Sequence, residues 1–187
     1  TTKFKTQFAC EVKNFNPLDH FDRKEVRKHD LFSIYAIVAA RQAVKDANID
    51  TEAEDLNKIG VIMGVGIGGI GTFENEMIDF CKGDGTPRFN PFFIPKMIVD
   101  SASGHISMEY GFRGPNYACV SACASSTSAI SVAYDQIKLG RANIMITGGA
   151  EAPITNAGLG SFNSMHAIST RNDSPETASR PFSKSRD

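Results

Sequence analysis

The spacing of hydrophobic residues changes along this chain and predicts alternating helices and strands. Apolar side chains recur at helical spacing from Leu31 to about Asn48, directly after Asp30, a residue type that caps helix N-termini. The short run from Lys58 to Met63 is rich in β-branched residues and ends in glycines, which predicts a strand buried on both faces. Strands of this kind are typical of α/β sheets.

The rest of the chain continues this alternation. Residues 1–29 are polar and irregular, and the spacing of Phe8, Val12 and Phe15 indicates one short strand among them. The pattern further predicts, in chain order, a helical segment around Phe73–Phe80, a turn-rich loop at 83–87, a helix Met97–Tyr110 ending at Gly111, a strand Tyr117–Ser121, a helix Ser125–Leu139 and a strand Asn143–Thr147. The last three elements form a β-α-β unit.

Composition narrows the class of protein. The 187 residues are 41% hydrophobic and 22% charged, which predicts one globular domain with a hydrophobic core and excludes a disordered chain. Lys and Arg number 20 against 21 Asp and Glu, so no overall positive charge draws the chain to nucleic acid or anionic lipid. No apolar run reaches the roughly 18 residues of a membrane span. We therefore expect a cytoplasmic protein that binds neither nucleic acid nor membrane.

The chain termini and the cysteines add two expectations. The sequence begins with Thr1 rather than Met and has no signal-peptide pattern, so we expect a piece of a longer protein. Four cysteines are few for a disulfide scaffold, and no second Cys/His pair follows Cys119 and Cys123 at zinc-site spacing. We expect reduced thiols and no metal.

The strongest chemical signal is the segment Ser121-Ala122-Cys123-Ala124-Ser125, at the predicted turn from strand to helix. A nucleophile at such a sharp turn needs small neighbours, because the backbone folds tightly while the reactive side chain projects outward. The N-terminus of the following helix favours a thiolate and can stabilise a developing oxyanion. The alternative is that Cys123 is a small core residue, as most free cysteines are.

A second motif, Gly66 to Gly71, fits the G-x-G-x-x-G pattern and follows a predicted strand. This pattern could begin a dinucleotide-binding turn, but the acidic residue expected about 20 positions later falls in a Gly/Pro loop. The glycines could instead permit close packing of the backbone, with Ile67 beside a substrate channel.

Several motifs together, in the same order, resemble the elongating β-ketoacyl synthases of dissociated fatty-acid synthesis. They are Arg23–Lys28, Gly64–Gly69, Asn90–Pro95, Tyr110–Pro115, Val120–Ile130, Thr147–Glu151, Ser169–Asp173 and Ser179–Phe182. The resemblance implies a thiolase-like layered α/β fold (αβαβα), of which residues 1–187 are the N-terminal half, incomplete at both ends. In the family the other half supplies two catalytic histidines, a lysine and one oxyanion amide. None of these can be placed on this sequence, so we expect residues 1–187 alone to be inactive.

The resemblance also implies roles for individual residues. Cys123 would accept an acyl group from a carrier protein before a decarboxylative Claisen condensation with malonyl-carrier protein. The implied acyl channel is lined by Ile67, Phe93, Ala122 and Phe162. The implied docking cluster for the acidic acyl carrier protein is Lys24, Arg27, Lys28 and Arg88.

The resemblance implies a homodimer in which the strand at Tyr117 pairs with the same strand of the second copy. It also implies that the enzyme needs no resident cofactor, because phosphopantetheine arrives on the carrier protein. Three alternatives stay open: a polyketide-type ketosynthase, a nonreactive partner subunit of the same fold, and a cysteine thioesterase or hydrolase.

Overall fold

The computed structural model describes residues 3–187, which form two compact units. The larger unit is Asn16–Ala152, and the smaller combines residues 3–15 with Pro153–Asp187. Across residues 3–187, no helix has both the length and the apolar character needed to cross a membrane.

The larger unit is built on a parallel three-stranded sheet. Its strands are β1 (Ile59–Gly64), β2 (Asn116–Cys119) and β3 (Ile144–Gly149), in the spatial order β2-β1-β3. Met63 of β1 is paired with Ala118 on one side and with Gly148 on the other. All six residues of the central strand β1 are buried, which confirms the prediction made from its β-branched run.

Helices cover both faces of this sheet. The helices of the larger unit are α1 (Arg23–Val26), α2 (Leu31–Asp46), α3 (Ile70–Lys82), α4 (Phe93–Met97), α5 (Ser101–Tyr110) and α6 (Ser125–Lys138). Ile59, Val61 and Met63 share one face of β1 and join the main hydrophobic core with residues of α2 and α5, such as Phe32 and Ile106. Gly64, on the opposite face, contacts the start of α6. The result is a three-layer α/β/α arrangement.

The structure corrects the predicted helix Met97–Tyr110. Met97 ends α4, the backbone is extended at Ile98 (ψ 140°), and α5 begins only at Ser101. The apolar spacing continues through this break, which is why periodicity alone did not reveal it. The end of α5 is as predicted, since Gly111 takes the left-handed conformation (φ 69°).

The predicted strand around Phe8–Phe15 is wrong. Residues 8–15 form no sheet pairing within the described part of the chain. The Thr6 amide donates to Asn163 Oδ1 (2.9 Å) and the Gln7 amide to Asn172 Oδ1 (2.9 Å). The same unit contains α7 (Asn156–Ser164), a helix that the sequence analysis did not predict.

Candidate active site

Cys123 lies on a sharp elbow between β2 and α6. Residues Ala122–Ala124 form a single 3-10 turn that leads directly into α6 at Ser125. Ala122 has a φ of 51°, in the left-handed region where a side chain causes steric strain, so a small residue suits the position. The Cys123 side chain is exposed, which excludes the alternative that it is a buried core residue.

The buried hydroxyl of Ser125 holds the elbow in shape. Ser125 Oγ accepts a hydrogen bond from the Ser121 amide (2.9 Å) and donates one to the Ala122 carbonyl (2.7 Å). Ser125 is only 4% exposed, so these bonds are shielded from water. The two residues that flank the turn are thus tied to each other around Cys123.

Glycines at the ends of two strands let α6 start directly on the sheet. A Cβ atom on Gly64 would overlap the backbone of Ser125, and one on Gly149 would lie 2.7 Å from the Ser126 Cβ. The first turn of α6 carries no side-chain cap and no acidic residue. The Ser125 amide donates to the Ala122 carbonyl, and the other amides of this first turn point toward the elbow, where they can stabilise negative charge on sulfur or on a substrate oxygen.

The glycine-rich turn after β1 is occupied by a carboxylate of this chain. Glu151 Oε2 accepts hydrogen bonds from the amides of Gly66 (2.7 Å) and Ile67 (2.9 Å), and Oε1 accepts one from Gly68 (3.0 Å). These amides are the donors that a dinucleotide pyrophosphate would need. Because they already have an anionic partner, the geometry disfavours the dinucleotide-binding interpretation.

The structure brings three of the four predicted acyl-channel residues into one neighbourhood. Ile67 is on the glycine-rich turn, 42% exposed, and a Cβ on Gly66 would lie 3.4 Å from the Ala122 carbonyl oxygen. The other side of the turn meets α4, where the Gly69 amide donates to the Met97 carbonyl (3.0 Å). Phe93 begins α4 and is half-buried.

Phe93 is held in a cluster of aromatic rings. Its ring stacks on Phe89 (5.6 Å between centroids) and on Phe73 of α3 (6.2 Å). The fourth predicted residue, Phe162, belongs to α7 of the smaller unit. There it lines an apolar cavity of about 420 Å³ together with Phe8, Cys10, Ile154 and Leu159.

The four basic residues of the predicted docking cluster meet in one groove. Lys24, Arg27, Lys28 and Arg88 line a groove of about 590 Å³, although Arg88 is 60 positions from Lys28 in the sequence. Two of the four are already paired: Lys28 Nζ lies 2.5 Å from Glu25 Oε1, and Arg88 Nη2 lies 3.2 Å from Asp84 Oδ2. Among residues 3–187, Lys24 and Arg27 form no such ion pair.

Two of the four histidines, the buried His29 and the half-buried His105, pack against each other beside α1. The rings of His29 and His105 meet edge to face with centroids 4.2 Å apart, and His29 Nε2 lies 3.6 Å from Glu25 Oε2. Burial, with a smaller contribution from the neighbouring His29, lowers the pKa of His105 to about 4. Burial also lowers the pKa of His29. Both rings are therefore neutral near pH 7, as suits a packing role.

The cysteines and other possible ligands form no cluster. The four cysteines are unpaired thiols. Within the described part of the chain, no three His, Cys, Asp or Glu side chains are arranged to hold a metal ion.

Comparison with known proteins decides the family. The model of the beta-ketoacyl synthase N-terminal domain matches residues 2–186. The chain belongs to the β-ketoacyl synthase family. A 3-oxoacyl-[acyl-carrier-protein] synthase 2 of Staphylococcus aureus is 47% identical over 190 residues, which are 100% of this chain and 46% of that protein. The corresponding protein of Coxiella burnetii is 40% identical over 186 residues, covering 100% of this chain and 45% of that protein.

Solved structures agree with this assignment. A beta-ketoacyl synthase from Burkholderia phymatum superimposes with a TM-score of 0.83 at 27% identity, over 98% of this chain and 45% of that one. A type II polyketide ketosynthase, solved with its acyl-carrier protein, gives a TM-score of 0.77 at 24% identity, over 84% and 46% of the two chains. The predicted thiolase-like α/β class is confirmed. The chain spans about half the length of the relatives it matches.

The sequence carries little or no sign of the roles that three residues have in shaping this site. Glu151 was noted only as part of a family motif, and Ser125 only as a small neighbour of Cys123. Asp22 caps α1 by accepting the amides of Lys24 (2.7 Å) and Glu25 (2.9 Å). Only Asp22 has a local signal, an aspartate directly before a charged segment. The Glu151 bonds join residues 83 to 85 positions apart, so no local pattern could reveal them.

Proposed function

We propose that this chain carries the nucleophile of a 3-oxoacyl-[acyl-carrier-protein] synthase that elongates fatty acids. The observation that carries the proposal is the exposed Cys123 on a tight elbow at the uncapped start of α6. The identity of 47% to a 3-oxoacyl-[acyl-carrier-protein] synthase 2 supports the reaction class. The names of these relatives favour a carrier-protein substrate over the hydrolysis of a free thioester.

The proposed reaction has two parts. In the first, the Cys123 thiolate attacks the carbonyl carbon of an acyl-carrier thioester, and the carrier's phosphopantetheine thiol leaves with a proton. Amides at the elbow and at the start of α6 stabilise the oxyanion that forms. In the second, malonyl-carrier protein loses CO₂, and its enolate carbon attacks the acyl-Cys123 carbonyl. A carbon–carbon bond forms, the bond to sulfur breaks, and 3-oxoacyl-carrier protein leaves.

The remaining predicted residues have roles in binding rather than in chemistry. Ile67, Phe93, Ala122 and Phe162 are proposed to line the channel for the acyl chain. Lys24, Arg27, Lys28 and Arg88 are proposed to dock the acidic carrier protein, and their convergence on one groove supports this. A carrier protein bound to a ketosynthase in a related structure provides a precedent for such a complex. We further propose a cytoplasmic homodimer.

Acylation of Cys123 is the direct test. The full-length protein is incubated with an acyl-pantetheine thioester, and the adduct is located by peptide mass spectrometry. We expect one acyl group, on Cys123, and none on the exposed Cys10 and Cys81. Cys123→Ser should abolish both the adduct and 3-oxoacyl formation, whereas the matched control Cys81→Ser should alter neither.

Two results would overturn the proposal. Preferred acylation of Cys81 or Cys119 would remove Cys123 as the nucleophile. Release of free fatty acid without any 3-oxoacyl product in the presence of malonyl-carrier protein would identify a thioesterase instead.

A further inference from the structure

The Glu151 carboxylate is placed to control the shape of the glycine-rich turn that carries Ile67. Three consecutive amides, those of Gly66, Ile67 and Gly68, donate to its two oxygens at 2.7, 2.9 and 3.0 Å. Hydrogen bonds to an ionised acceptor are about twice as strong as neutral ones, and three on one carboxylate leave the turn little freedom. The middle amide of the three belongs to Ile67 itself.

The glycines of the turn fit this contact closely. A Cβ on Gly66 would lie 2.8 Å from Glu151 Oε2, so a side chain there would push the carboxylate away. Gly68 has a φ of 79°, the left-handed conformation that turns its amide toward the same acceptor as its neighbours. The glycine pattern is therefore explained by an internal anion rather than by a bound phosphate.

The other side of the turn is held by α4. A Cβ on Gly68 would lie 2.7 Å from the Met97 carbonyl oxygen, and one on Gly69 would overlap the Lys96 carbonyl. The turn is thus enclosed between the Glu151 carboxylate and the backbone of the helix that begins with Phe93. A shift of the carboxylate would be transmitted to Ile67, and through α4 to Phe93.

We propose that Glu151 is a positioning residue for acyl-chain selection, because it fixes the turn that presents Ile67 to the acyl channel. This inference rests on the proposed function, in which Ile67 lines the acyl channel, and it adds that Ile67 limits the length of the chain bound at Cys123. An apolar channel discriminates between lengths by steric blocking, which requires the blocking side chain to stay in place. A mobile Ile67 would block poorly.

Glu151→Gln tests the inference with little change in side-chain shape. The amide oxygen of Gln can accept two of the three backbone amides, but its NH₂ group faces the third as a second donor. Rates of Cys123 acylation are measured in the full-length protein with two acyl-pantetheine thioesters, one shorter and one longer than the wild-type limit. We expect the ratio of the short-chain rate to the long-chain rate to fall about tenfold toward unity. The long-chain rate should rise, and the short-chain rate should stay nearly unchanged.

A double-mutant cycle separates positioning from general destabilisation. If Glu151 acts through Ile67, then Glu151→Gln should leave the ratio unchanged in an Ile67→Ala background. The matched control is Asp55→Asn, which removes another carboxylate that accepts a backbone amide, at the opposite end of β1. This control should not alter the ratio in either background.

The possible outcomes separate this inference from the proposed function. Failure of the wild-type protein to acylate Cys123 with any chain would refute the proposed function itself. Normal acylation with an unchanged ratio in Glu151→Gln, or an equal loss for both chains, would overturn only the role of Glu151. Should Glu151→Gln not fold, Glu151→Asp is measured in the same way, and failure of both to fold would show a purely structural role.

Discussion

At the scale of single residues, Cys123 and Ile67 are each carried by a short turn. The turn is strained at Cys123 and rich in glycine at Ile67. Ala122 has a φ of 51° directly before Cys123, and Gly68 has a φ of 79° directly after Ile67. Gly64 of β1 lies against Ser125, which directly follows the Cys123 turn, and Gly68 of the Ile67 turn lies against Met97, at distances that only glycine allows. Their positions are therefore set by packing of the main chain and not by the exposed side chains themselves.

Ile67→Phe should shorten the longest acyl group that Cys123 accepts, because the larger ring blocks the channel. Transfer of a short acyl chain should stay nearly intact, since discrimination by blocking does not act on chains that end before it. The measurement is acylation of the full-length protein with a series of acyl-pantetheine thioesters. The matched control is Ile78→Phe on α3, where the side chain is also exposed. An equal loss with all chain lengths would assign Ile67 a structural role.

The packing of His105 against the buried His29 predicts that the free energy of unfolding decreases at acid pH. Because the pKa of His105 falls from 6.5 to about 4 on folding, the unfolded chain binds more protons than the folded one between these values. The contribution of His105 to the free energy of unfolding should therefore be at its maximum above pH 6.5. It should decrease as the pH falls toward 4. We expect a loss of about 1–2 kcal/mol from this half-buried ring, after screening by solvent.

Urea unfolding at pH 7 and at pH 4.5 measures this effect. His105→Gln should reduce the difference between the two free energies, whereas His166→Gln, which alters an exposed histidine, should leave it unchanged. An identical pH dependence in His105→Gln and wild type would contradict the assignment.

At this scale the sequence predicts a functional residue only where its signal comes from residues adjacent in the chain. Cys123 was predictable because small neighbours and a following helix are adjacent to it in the chain. Glu151 and Ser125 act through hydrogen bonds whose partners are set by the fold, so their residue types alone carry no signal. The convergence of Arg88 on Lys24 was predicted only through family resemblance, since nothing local joins them.

At the scale of elements, the short helix α1 carries three of the four basic residues of the proposed docking groove or lies directly before them. Asp22 caps it, Glu25 is bonded to Lys28, and the chain then enters α2. Because Lys28 and Arg88 already have acidic partners, Lys24 and Arg27 supply most of the charge available to a carrier protein. The groove should therefore show unequal contributions from its four basic residues.

Charge reversal at Lys24 and Arg27 should slow carrier-protein association more than reversal at Lys28 and Arg88. Electrostatic steering acts on the association rate, so we expect about a tenfold or larger decrease that shrinks at high salt. Binding of acyl carrier protein to the full-length synthase is followed by surface plasmon resonance at two salt concentrations. Lys45→Glu, an exposed lysine of α2, is the control. Equal effects at all four positions would contradict the unequal roles.

The sequence predicts helices and strands well where hydrophobic residues recur at regular spacing. It does not predict elements that lack such spacing. The helix α2 and the strand β1 were recovered because their apolar faces or surfaces are continuous. The sequence of α7 contains two glycines and no apolar stripe, so its helix depends on the Thr155 cap and on packing within the smaller unit. Residues 8–15 form no strand, and the spacing of their apolar residues alone cannot distinguish a strand from an irregular segment.

At the scale of the whole molecule, we propose that the β2 edge of the sheet binds a second copy of the chain. β2 is an edge strand of the described sheet, and Tyr117 in it is 38% exposed. The neighbouring helix α6 exposes Ile130, Tyr134 and Ile137 at helical spacing, with exposed fractions of 52%, 61% and 44%. An isologous pairing of β2 with its twin would cover these apolar side chains.

Tyr134→Glu should weaken the proposed dimer by at least about tenfold, because it buries a charge in an apolar interface. Sedimentation velocity of the full-length protein at micromolar concentration distinguishes dimer from monomer. Met108→Glu, at an equally exposed apolar position on α5, should leave the dimer intact. A wild-type protein that sediments as a monomer would refute the homodimer.

The division of the chain into two units also has a consequence for the order of folding. Thr6 bonds to Asn163 and to Ser169, at sequence separations of 157 and 163, so the smaller unit cannot close until Ser169 has been synthesised. The larger unit is continuous in sequence from Asn16 to Ala152 and can bury its core earlier. On the ribosome, residues 3–15 therefore emerge before any of the larger unit, yet they meet these partners only after all of the larger unit has been synthesised.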